Sequence, residues 1–134
     1  MKSLILNVEE RKSDELVKHA TGPGRRYVFS DNQNNPQGNL YVALRAVENL
    51  QNPEQYIKPH THDDESLLIF KGSNSDLSGL EVEVLLETEW HRIDSPKAVR
   101  IPAKLPHAFR FLRGSGECWN IVITPGADYN KTAR

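Results

Sequence analysis

The sequence predicts an all-β domain, and three observations carry that expectation. Aromatic and β-branched residues gather in short runs separated by Gly, Pro, Asn and Asp clusters. The run Leu80-Glu81-Val82-Glu83-Val84-Leu85-Leu86 alternates apolar with acidic side chains, as a half-buried strand does. Only one stretch, near the N-terminus, reads as a helix. Short antiparallel strands at this spacing close into a barrel or pack as a two-sheet sandwich, and 134 residues suit a single domain spanning 1–134.

In chain order, residues 13–19 read as a short helix with Ser13 as a possible cap, stopped by Gly22-Pro23-Gly24. Arg26-Tyr27-Val28-Phe29 and residues 40–47 read as a hairpin around the polar turn 31–38. Residues 66–70 form a strand that ends at Gly72 and a polar loop, and residues 80–86 follow. Two short strands, 98–101 and 108–112, flank a turn at Pro102. Arg113-Gly114-Ser115-Gly116 reads as a turn into a last strand, 117–124, and the tail 126–134 is expected to be loose. The count is seven or eight strands and at most one helix.

A hydrophobic fraction of 37% beside 26% charged residues fits a globular protein, and no apolar run approaches the roughly 20 residues of a membrane-spanning helix. The start Met1-Lys2-Ser3-Leu4-Ile5-Leu6-Asn7 becomes charged too soon for a signal peptide, so a cytoplasmic location is expected. With 17 basic against 18 acidic side chains and no Lys/Arg cluster, neither nucleic acid nor membrane is an expected partner. The single cysteine, Cys118, excludes an internal disulfide and fits a reducing compartment. It sits in an apolar run and reads as a small buried hydrophobe rather than a nucleophile.

Chemistry concentrates in Pro59-His60-Thr61-His62-Asp63-Asp64-Glu65. In a strand, residues i and i+2 share a face, so His60 and His62 present their rings toward one point. A third histidine, His107, arrives in Ile101-Pro102-Ala103-Lys104-Leu105-Pro106-His107. Imidazole and carboxylate together suit one divalent transition metal, Fe, Mn, Ni, Co, Cu or Zn, and the lack of thiolates argues against an all-cysteine structural zinc. Taken singly, each histidine reads as structural; His19 in the helix and His91 in a charged stretch read as surface residues. Trp90 and Trp119 read as core or interface. Alternation places Phe109 and Phe111 on the face of His107, with Ala108 and Arg110 on the other. Tyr41, Ala43 and Arg45 share one face of their strand. If that face is interior, Arg45 offers a bidentate contact to a substrate carboxylate; an outward Arg45 is the alternative.

These residues resemble the two motifs of the cupin superfamily. The first is two histidines one residue apart, a short spacer, a glutamate, six residues and a glycine; His60, His62, Glu65 and Gly72 match it. Only Asp63 and Asp64 separate His62 from Glu65, a shorter spacer than is usual, and Asp64 or Asp63 stands as an alternative acid. The second motif runs from proline through glycine to histidine and asparagine. Pro102 and His107 match, whereas Lys104 stands at the glycine and Phe111 at the asparagine.

The resemblance covers roughly residues 40–124, the core barrel, with 1–39 as an extension. It implies a double-stranded β-helix, or jelly-roll, cupin barrel with a short N-terminal helix. It also implies one metal held by His60, His62, Glu65 and His107; Tyr41, Arg45, Phe109 and Phe111 are possible pocket residues by strand alternation. The implied activity is that of a metal-dependent enzyme on a small molecule, dioxygenase-like or an isomerase or lyase. Its rivals are a non-catalytic ligand-binding or sensing cupin and a barrel that has lost its metal. A homodimer is implied as well, with Leu4-Ile5-Leu6 as a candidate exchanged strand.

Overall fold

The computed structural model describes residues 4–11, 23–51, 53 and 58–129. Eight strands lie among them: β1 (Glu9–Glu10), β2 (Arg25–Ser30), β3 (Leu40–Gln51), β4 (Ser66–Gly72), β5 (Leu80–Leu86), β6 (Glu89–Asp94), β7 (Lys97–Ile101) and β8 (His107–Ile123). A 3-10 turn at Pro125–Ala127 follows. The helix expected over 13–19 lies outside the described residues. Leu4-Ile5-Leu6 precedes the first strand, with Leu4 and Ile5 exposed.

The sheet path runs β1-β2-β3-β8-β4-β7, and β5 joins it through β8 while carrying β6 on its other edge. Every one of these pairings is antiparallel. The element that joins the layers is β8. Its first half, from His107 to Gly114, pairs with β5; its second half lies between β3 and β4. One long strand is shared by both halves of the jelly roll, whose architecture is the one the sequence led us to expect. Because β2 pairs with β3 from Arg25↔Ala46 to Ser30↔Val42, strand pairing also reaches into residues 1–39.

Two local expectations need correction. The segment 113–116 is not a turn, because β8 runs straight through it. Gly114 (φ 106°) and Gly116 (φ 154°) serve close approach instead: a Cβ on the first would strike the Gly79 carbonyl, and on the second the Lys71 carbonyl. The stretch around Trp90 and His91, read as merely charged, is β6. All its residues are exposed except the partly buried Ile93, so no apolar alternation marks it. It is an edge strand held by its ladder to β5 and by Arg92, whose Nη2 lies 2.8 Å from Glu81.

The core follows from the alternation in β5 and β8. Leu80, Val82 and Val84 point inward and meet Phe70, Ile101 and Phe111, all at most 1% exposed. Each such side chain contributes about 1.5–3 kcal/mol by leaving water. On the outer face Glu83 accepts from Arg110 at 2.9 and 2.5 Å, and the Arg110 guanidinium lies 4.8 Å from the Trp90 ring centroid. A second cluster, Val28, Tyr41, Ala43, Val122 and Tyr129, fills the other part of the barrel.

Main-chain bonds bring the two halves of the motif together. His60 and His107 exchange both backbone hydrogen bonds, at 3.1 and 3.0 Å, and the Lys104 amide donates to the His62 carbonyl at 2.6 Å. Lys104 itself holds φ 68° at the position where the cupin motif has glycine. A side chain there costs about 1 kcal/mol, which these bonds offset.

Candidate metal centre

The three histidines converge. His60 lies on an isolated bridge before β4, His62 follows two residues later on the same face, and His107 opens β8. All three are buried, at 5%, 3% and 5% exposure. Ring centroids are 4.7 Å apart for His60 and His62, 4.6 Å for His60 and His107, and 5.1 Å for His62 and His107. One nitrogen from each falls within 4.8 Å of the others.

Hydrogen bonding sets the tautomers. A backbone carbonyl can only accept, so His60 Nδ1 donates to the Lys58 carbonyl at 2.6 Å and His107 Nδ1 to the Leu105 carbonyl at 2.9 Å. Both rings then carry their lone pair on Nε2. In His60 that atom is buried and makes no hydrogen bond. Burial, aided by the neighbouring His60, lowers the His107 pKa to about 4, so its imidazole is neutral at ordinary pH. Three buried imidazoles with one nitrogen each within 4.8 Å, two of them with Nδ1 fixed by carbonyls, are a donor set that divalent transition metals take. The residues present fit such an ion.

The expected acid is not among them. Glu65 is exposed and its carboxylate pairs with the Arg100 guanidinium. The reason is strand parity. Ser66 opens β4 facing inward, so Glu65 and Leu67 fall on the outer face, where Arg100 is the register partner of Leu67. With only two residues after His62, the acid misses the inward position by one, and a slip of one residue exchanges the faces of a strand. Asp63 is exposed and Asp64 half-buried, and neither joins the three nitrogens.

A residue outside the expected set lies beside His62. Tyr129 belongs to the tail expected to be loose, yet Ala127 and Tyr129 are buried. The 3-10 turn folds the chain back, with the Ala127 amide donating to the Thr124 carbonyl at 3.0 Å and Thr124 tied to Asn39 at 2.9 Å. The Tyr129 hydroxyl then lies 3.0 Å from His62 Nε2, and its ring stacks on Tyr41 with centroids 4.5 Å apart. Being the only aromatic residue after Trp119, it carried a faint signal within a polar tail.

The four expected pocket residues are all buried and divide between two surroundings. Phe109 and Phe111 share the interior face with His107 and form edge-on contacts in the main core, 5.7 Å between centroids. Tyr41 and Arg45 lie on the inward face of β3. Tyr41 accepts from Arg26 Nη2 at 2.7 Å, and Arg45 Nη1 donates to the Pro23 carbonyl at 2.9 Å. His91 is exposed, as expected, while His19 lies outside the described residues. Two surface clefts, one beside Ser95 and Arg113 and one beside Lys71 and Ser115, include none of the three histidines.

No protein-family model matches the sequence, and no curated protein matches it. Solved structures do. A cupin 2 conserved barrel domain protein from Rhodopseudomonas palustris superposes with a TM-score of 0.58 at 16% identity, covering 96% of this chain and 76% of that one. The chain has the cupin fold. An RmlC-like cupin from Shewanella frigidimarina is also similar, with a TM-score of 0.53 at 13% identity over 91% and 95% of the two chains. So is the polyketide cyclase RemF from Streptomyces resistomycificus, at 0.55 and 16%, over 93% and 79%. Identities this low speak for the cupin barrel and leave its chemistry to the site.

Proposed function

We propose that this cupin is a metal-dependent enzyme acting on a small organic molecule. The observation that carries the reading is the convergence of three buried imidazoles, two of which, His60 and His107, have Nδ1 engaged by backbone carbonyls. His60, His62 and His107 hold one divalent transition metal, Fe, Mn, Ni, Co, Cu or Zn, and Glu65 is left out of the ligand set. Such an ion supplies Lewis acidity for an isomerase or lyase reaction, or dioxygen chemistry if it is redox-active. Three nitrogens leave coordination positions open to a substrate, and Phe109 and Phe111 follow His107 on the same face of β8.

The test is to incubate metal-loaded protein with thiols, catechols, diketones and keto acids while following oxygen and product. Oxygen uptake marks an oxygenase, and conversion without it marks an isomerase or lyase. A ligand that raises thermal stability and is recovered unchanged would replace this reading with a binding or sensing module. The proposal includes a cytoplasmic location, which the single buried cysteine supports. No helix among the described residues is long and apolar enough to cross a membrane.

A homodimer belongs to the same proposal. The outer face of β3, β8 and β4 exposes Leu40, Ile123 and Leu67, the first two being register partners. Sedimentation of the wild type against Ile123→Glu tests it: a dimer that the charge breaks supports it, and a wild-type monomer contradicts it.

A further inference from the structure

The Tyr129 hydroxyl is oriented by two neighbours. Its oxygen lies 3.0 Å from His62 Nε2. The Asn120 side chain hydrogen-bonds the same hydroxyl. In the His62 tautomer that a metal at Nε2 requires, with the ring proton on Nδ1, the phenol donates to Nε2. The ring is fixed: Tyr129 is 4% exposed and stacks on Tyr41, whose hydroxyl accepts from Arg26.

An ion held by His62 Nε2 would take that lone pair. The O–H is then released about 3 Å from that nitrogen, within reach of whatever small ligand shares the site. We propose that Tyr129, oriented by Asn120, is the hydrogen-bond donor that holds an anionic atom of a small ligand beside the three histidines. This rests on the metal reading above. It assigns to a tyrosine the polar corner that Glu65, turned toward Arg100, does not fill.

The test uses cobalt(II)-loaded protein with azide as the probe, titrated by the visible spectrum. Tyr129→Phe is expected to bind as much cobalt as the wild type and to bind azide about tenfold more weakly, the loss of one hydrogen bond to a charged group. Thermal melting establishes that the variant folds. If it does not, Asn120→Ala, which keeps the phenol and frees its rotation, is expected to weaken azide about threefold. Unchanged azide affinity in a folded, cobalt-loaded variant overturns the proposal alone. So does a phenolate charge-transfer band in copper(II)-loaded wild type that Tyr129→Phe abolishes, since Tyr129 would then be a ligand. Wild-type protein that takes up no cobalt overturns the metal reading and this proposal together.

Discussion

His107 gives the metal-free protein a pH dependence whose size can be worked out. Its pKa falls from 6.5 to about 4 on folding, because burial disfavours the imidazolium and His60 stands beside it. The unfolded chain therefore takes up a proton on this residue as the pH drops through about 6.5, whereas the folded chain does so only near 4. Stability is lost as the pH falls through that window, and a difference of about 2.5 units corresponds to about 3 kcal/mol. Urea unfolding of chelator-treated protein, measured at intervals from pH 7 to pH 4, reads the slope. His107→Gln removes the titrating group, so its curve is expected to be flatter by about that amount. Parallel curves for variant and wild type would refute the claim that His107 is buried and neutral.

Three further outcomes follow from the same geometry. Glu65→Ala is expected to keep its metal affinity by calorimetric titration and to change stability by less than about 1 kcal/mol, because an exposed ion pair is weak; a large loss of affinity would place that carboxylate on the ion. Cys118, buried and with its thiol pKa pushed up by burial, is expected to react with a disulfide reagent only after unfolding, and rapid reaction of the native protein would contradict its position. Phe111→Ala, at a side chain 1% exposed in the main core, is expected to lose about 3–5 kcal/mol in urea unfolding; a loss under about 1 kcal/mol would mean that the ring is not packed there.

The legible part of the molecule was the part written in alternation. β5 announces its faces through Leu80, Val82 and Val84 against Glu81 and Glu83, and the same parity correctly placed Phe109 and Phe111 with His107. His60 and His62 were readable because two residues apart in an extended chain means one face. Glu65 has the motif distance to Gly72, but strand parity puts Ser66 inside and Glu65 outside, beside Arg100. β6 was invisible because an edge strand exposed on nearly every residue has no apolar signature. Gly114 and Gly116 suggested a turn, yet their role is set by neighbouring carbonyls that only the sheet pairing brings near. Tyr129 was missed for a related reason: its partners, His62 and Tyr41, lie far away in sequence, and only the fold-back after Thr124 brings them into contact.

The central claim is that His60, His62 and His107 hold an ion. Elemental analysis of protein purified without added metal and dialysed free of loose ions tests it most directly. The account predicts about one transition-metal ion per chain, lost in both His60→Ala and His107→Ala while each variant remains folded. Wild-type protein with no bound transition metal, or folded histidine variants that keep theirs, would contradict it.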